Sequence, residues 1–63
     1  MSHEEWETWH INIENAVDKV CKIYGADVAR SVFQMYDATS FDDLSPCYYD
    51  EVFGNLELIV NDN

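Results

Sequence analysis

Between Ser2 and Tyr24 the apolar residues Trp6, Trp9, Ile13, Ala16, Val17, Val20 and Tyr24 recur three and four positions apart. That spacing is one stripe of an amphipathic α-helix. At 100° per residue, Glu4, Glu7, Glu14 and Asp18 fall on the opposite face. Ser2 is placed to cap the free N–H groups, and Glu5, three residues on, to close a capping box. Glu4 and Glu5 occupy the first turn, where the helix dipole favours negative charge. Gly25 stops the helix as a left-handed C′ residue. A helix apolar on one side and acidic on the other must bury its stripe against something, so the rest of the chain is read as what packs on it.

With 63 residues there is material for one core. A core of this size supplies about 3–5 kcal/mol of net stability. Nine aromatic residues and 48% hydrophobic composition still predict a folded chain. After Gly25, the segment ADVARSVFQMYDA places Val28, Ala29, Val32, Phe33, Met35 and Tyr36 on a broad apolar arc, predicting a second helix of about three turns. Asp27 caps or charges its first turn, and Gly25-Ala26 is the only connection, which forces a tight corner. In TSFDDLSP, Ser40 and Asp43 read as the cap of one short helical turn whose Phe41 and Leu44 plug the end of the core. Ser45-Pro46 then announces a third helix, with serine as N-cap and proline at its first position. Its inward stripe is Tyr49, Val52, Phe53, Leu56, Ile59 and Val60, with Asp50, Glu51, Glu57 and Leu58 outward. The LELIV run also suits a short strand, but no second strand is available to pair with it. Gly54, costly inside a helix, marks a close helix–helix approach on this reading, and the tail Asn61-Asp62-Asn63 is polar and frayed. The expected fold is all-α: residues 1–63 as a single domain, a small three-helix bundle with a short helical turn between helices 2 and 3.

Thirteen acidic residues against Lys19, Lys22 and Arg30 give a net charge of −10. Such a chain is repelled by nucleic acid and by anionic membrane surfaces, and is drawn over long range to basic protein surfaces. Cys21 and Cys47 lie 26 residues apart without a CxxC spacing, and the acidic N-terminus is unlike a secretory signal. Two free, part-buried thiols in a reducing bacterial cytoplasm are expected, with a single disulfide as the alternative. No apolar run approaches the length of a membrane span.

No serine–histidine–acid set or glycine-rich phosphate loop is present, and the adjacent acids Asp42-Asp43 and Asp50-Glu51 are unsurprising in so acidic a chain. A domain this small offers little cleft in which to shift a pKa, so no enzyme is expected, and no cofactor. His3, Glu7 and His10 line one edge of the first helix and could hold a transition metal weakly. They lack the four ligands and supporting groups of a zinc site and are read as surface residues. Trp9 belongs to the core; Trp6, nearer the end of the stripe, is either core or an interface anchor. The acidic face carries the most weight. Glu4 to Asp18 spans about 21 Å of helix, long enough for its carboxylates to imitate a row of phosphates. Ile11 on that face, and Leu58 on the outer face of the last helix, are apolar residues stranded among charges. Solubility alone accounts for exterior charge but needs far less than −10.

From Tyr24 to Asp62 the chain resembles a segment of short proteins of bacterial phages and conjugative elements. The resemblance lies in Tyr24-Gly25-Ala26, Tyr36 with Ala38, Asp43-Leu44 with Pro46, and Tyr48-Tyr49 through Glu51-Val52-Phe53. These are mainly cap and core positions, so they imply a fold more than an activity. In setting, size and acidity the chain is also similar to anti-CRISPR and antirestriction proteins, many of which are small acidic mimics of nucleic acid. The resulting expectation is an inhibitor that docks on a basic nucleic-acid-binding protein, a CRISPR effector or another defence nuclease. Glu4, Glu7, Glu14 and Asp18 would form the negative row, Asp42, Asp43, Asp50 and Glu51 a second patch, and Trp6 and Ile11 the anchors. The rival expectation is an interaction module of a mobile element that binds through an apolar surface, with a homodimer among its forms.

Overall fold

The computed structural model describes residues 2–61, so Asp62 and Asn63 of the expected frayed tail lie outside the described residues. Three α-helices, α1 (His3–Tyr24), α2 (Ala26–Gln34) and α3 (Tyr49–Asn61), account for most of the described chain, with short 3₁₀ turns at Phe41–Asp43 and Pro46–Tyr48. The LELIV run is helical. Molecular extents are 34 × 20 × 15 Å, and the long axis matches the roughly 33 Å that a helix of α1's length spans.

Ser2 caps α1 through its hydroxyl, which accepts the Glu5 N–H at 3.2 Å. Glu5 does not return the bond to complete a capping box. At the other end the Gly25 N–H donates to the Cys21 carbonyl at 3.0 Å. Gly25 has φ 98° and ψ 162°, a combination open essentially to glycine alone and distinct from the left-handed helical conformation expected there. That geometry lets one residue end α1 and begin α2, so the corner is tighter than the Gly25-Ala26 connection anticipated.

α2 is shorter than its apolar arc implied. Asp37 adopts φ 58°, Asp37 N–H donates to Gln34 O, and Ala38 N–H reaches back to Phe33 O. This is the Schellman arrangement, with an aspartate where glycine is usual. Met35 is consequently exposed and Tyr36 only half-buried.

α1 lies against both other helices. Its Ile13, Ala16 and Val20 join Ala29, Val32 and Phe33 of α2 and Tyr49, Val52 and Leu56 of α3 in one core, which Ala38, Phe41 and Leu44 of the connecting segment complete. Phe41 stacks on Tyr49 and on His10, with centroids 4.7 and 4.8 Å apart, and meets Trp6 edge-on at 5.7 Å. Trp9 is half-buried against Tyr49 and Phe53, as a core residue should be. Pro46 opens a 3₁₀ turn rather than the third α-helix itself, which starts three residues later at Tyr49, and the Ser45 side chain makes no capping bond. The Gly54 reading is overturned: nothing lies within 4 Å of where its Cβ would be, so no helix approaches it. Cys21 is half-buried and Cys47 exposed, both as free thiols; the expectation of burial holds only for Cys21. Among the described residues no helix is long and apolar enough to cross a membrane.

Two stability changes of opposite sign follow. Phe41→Ala removes an aromatic ring from the junction of three elements and should cost about 3–5 kcal/mol, as much as a chain of this size has. Its circular dichroism melt should lose the cooperative transition. Gly54→Ala should raise stability by roughly 1 kcal/mol, or a melting temperature higher by about 4–8 °C.

Candidate protein-binding faces

The outer face of α1 carries Glu4, Glu7, Glu14 and Asp18, all exposed, with Ile11 58% exposed between them. Because Ile13, Ala16 and Val20 of the same helix are buried, the 3.6-residue period turns this row directly away from the core. Three of the four acids have partners one helical turn away. Glu7 lies 2.9 Å from His3 Nε2, Glu14 lies 3.5 Å from His10 Nε2, and Asp18 lies 2.9 Å from Lys22 Nζ. Only the lysine is a permanent cation, so the C-terminal end of the row is partly neutralised and the field is strongest toward Glu4 and Glu7. Exposed pairs of this kind contribute about 0–1 kcal/mol and are easily exchanged for a partner's cation.

Trp6 does not stand on the acidic row. It sits on the flank of α1 at 38% exposure, between His10, with centroids 4.9 Å apart, and the edge of Phe41. One part of the indole closes the core and the rest meets solvent. His10 turns toward Phe41 and Glu14, while His3 pairs with Glu7. His3, Glu7 and His10 therefore do not converge. Among the described residues no three histidine, cysteine or acidic side chains are grouped to hold a metal.

The members of the second acidic patch differ in what they touch. Asp43 is engaged within its own turn: its carboxylate accepts N–H bonds from Ser40 at 3.0 Å and Thr39 at 3.1 Å, and the Thr39 hydroxyl at 3.0 Å. The backbone N–H groups of Ser40 and Thr39 hold its pKa below the ordinary aspartate value against an opposing desolvation, with lesser help from the Thr39 hydroxyl. Asp43 is thus the staple of the turn that carries Phe41, although it remains exposed. Asp42 remains exposed beside it. Asp50 and Glu51 begin α3 on the side away from its buried Tyr49, Val52 and Leu56. Since α1 and α3 pack through the same core, their outward faces point in different directions. A flat partner surface cannot meet the α1 row and the Asp50-Glu51 pair together.

Asp50 and Glu51 instead share a shallow depression with Tyr36, Gly54, Asn55 and Leu58. Tyr36 comes from the end of α2, and the Asn55 side-chain amide donates to its hydroxyl at 2.8 Å. Periodicity marks Leu58 as stranded but gives no hint of Tyr36, which reads as core. A second cleft, between α1 and α2, has Val17, Cys21, Phe33 and Phe41 as its apolar floor and Glu14 and Arg30 at its rim. No protein-family model, curated protein or solved structure matches the chain.

The Asp43 staple has a pH signature. An aspartate held below its ordinary pKa binds its proton later in the folded than in the unfolded chain. Its contribution is full above the unfolded value of about 3.9 and is lost as pH falls through the lower, folded value. Asp43→Asn should lower the melting temperature near neutral pH and narrow the gap to the parent in strong acid. An unchanged gap across the pH range would assign the acid sensitivity to other carboxylates.

Proposed function

We propose that this chain is a small acidic inhibitor that occupies the nucleic-acid-binding surface of a basic protein, such as a CRISPR effector or another defence nuclease. The observation that carries the reading is the outward row of α1: Glu4, Glu7, Glu14 and Asp18 on one straight helix, with exposed Ile11 among them. At 1.5 Å per residue the row covers about 21 Å, so its carboxylates follow one another about every 7 Å on average. A nucleic-acid strand presents a phosphate about every 3.4 Å. The row therefore imitates a strand at about half its charge density. That is enough to steer encounter with a basic groove, while Ile11 and the exposed edge of Trp6 supply contact that phosphates lack. A rigid helix also pays little ordering entropy on docking.

Asp42, exposed on the turn whose Phe41 packs against Trp6 and His10 of α1, adds to the negative field, whereas Asp43, Asp50 and Glu51 have no part in the imitation. The rival reading, an apolar interaction module, is separated from this one by salt. Screening weakens contacts between exposed charges and leaves apolar contacts nearly untouched.

The test is a titration of purified protein against an RNA-loaded CRISPR effector and a restriction endonuclease, with short duplex DNA as competitor. Binding should be competitive with the duplex and weaken at least about tenfold between roughly 50 and 200 mM salt. Reversal of Glu7, Glu14 and Asp18 to lysine should abolish it without loss of helicity. Undiminished binding by the reversed protein would refute the imitation.

A further inference from the structure

Gly54 stands in the interior of α3, where glycine is a poor choice, and nothing within the fold requires it. Its φ is not positive, and apart from its chain neighbours and the backbone of its own helix nothing lies within 4 Å of the position a Cβ would take. It forms the floor of a depression of about 340 Å³ bounded by Tyr36, Asp50, Glu51, Asn55 and Leu58. We propose that this depression is a docking site for an arginine presented by a basic protein partner, separate from the α1 row and independent of it.

Each wall suits that occupant. The Tyr36 ring is fixed before any partner arrives, by the Asn55 amide on its hydroxyl at 2.8 Å and by the Tyr48 ring at a centroid distance of 5.0 Å. A fixed tyrosine face is a platform for a guanidinium. Asp50 and Glu51 have no lysine, arginine or histidine within ion-pair distance among the described residues. Asp50 Oδ1 accepts the Glu51 N–H, which leaves Oδ2 and the Glu51 carboxylate for a partner. Arginine answers both features at once, since its planar group stacks on an aromatic ring and bonds carboxylates in a fork. Lysine does so less well. The missing Cβ at Gly54 lets the arginine stem lie close to the α3 backbone, and Leu58, 68% exposed, offers an apolar neighbour to the residue beside it.

Charge decides among other occupants. A second copy would meet this surface through the same patch, placing Asp50 and Glu51 against their own counterparts on two chains of net charge −10 each. Nucleic acid and anionic lipid are repelled for the same reason. A basic protein surface is the complement that remains.

The experiment uses the full chain, labelled with nitrogen-15, and two helical peptides of about 15 residues built on alanine and glutamine. One carries a central arginine flanked by leucines a helical turn away; the other has glutamine in place of the arginine. At about 150 mM salt the arginine peptide should shift the amide signals of Tyr36, Glu51, Gly54 and Leu58 to saturation. The glutamine peptide should bind at least about tenfold more weakly. Gly54→Gln and Glu51→Lys should each weaken arginine-peptide binding by about tenfold or more, with the Gly54→Gln melt no lower than the parent's. Reversal of Glu7 and Glu14 should change it by less than about threefold, which separates this site from the α1 row. Equal binding of both peptides, shifts confined to α1, or a self-association that Gly54→Gln abolishes would overturn the proposal.

Discussion

Phe41 is the contact on which the arrangement of the helices depends. It belongs to neither helix it joins, yet its ring lies against Tyr49 of α3 and against His10 and Trp6 of α1. The segment from Met35 to Ser45 has no continuous backbone ladder of its own. Its course is set by three buried side chains, Ala38, Phe41 and Leu44, and by the Asp43 carboxylate that closes the turn on Thr39 and Ser40. Hydrogen bonding thus fixes the turn, the turn aims the ring, and the ring fastens α3 along α1. In a chain with only a few kcal/mol in reserve, one such junction accounts for a large share of the net stability.

The helices themselves were legible because periodicity reports a face regardless of what covers it. The α1 stripe from Trp9 to Val20, the Ser2 cap and the Phe41-Leu44 plug stand where spacing and cap chemistry place them, whereas Tyr24 at the end of the stripe is exposed and Pro46 opens a 3₁₀ turn ahead of the third helix. Sequence and structure part where two local rules compete or where geometry decides. Met35 and Tyr36 continue the apolar arc of α2, but Asp37 takes the left-handed conformation and ends the helix. Aspartate can do this, though glycine or asparagine is the usual signal, and neither is present there. Gly25 reads as a stop, but spacing does not report its ψ of 162°, which lets it start the next helix too. Gly54 reads as a close contact because glycines in helices often are. Whether a neighbour exists is a question of three dimensions that no spacing answers.

The same distinction divides the candidate faces. The α1 row needs only one helix to be defined, so its members and their direction could be read directly. The second patch needed the relative placement of the connecting turn and α3. Asp43 is turned onto its own loop, and Asp50 and Glu51 face away from α1 beside Tyr36, a residue 19 positions from its partner Asn55. Adjacent acids in sequence therefore proved to be a structural staple in one case and an exposed rim in the other.

The charge of the molecule gives these faces a property that can be used against a trivial explanation. Of the three basic residues, Lys22 and Arg30 lie near Asp18 and Asp27 of their own helices, and such surface pairs are worth about 0–1 kcal/mol. The apolar and aromatic core therefore holds the fold against a net charge of −10, and self-repulsion works against it. Added salt screens that repulsion and should stabilise the folded chain. It should weaken attraction to a basic partner over the same range, since both effects share one Debye length. Folding and binding then respond to salt with opposite signs. A loss of binding on raising ionic strength cannot be attributed to loss of structure, and the acidic faces can be examined as binding surfaces in their own right.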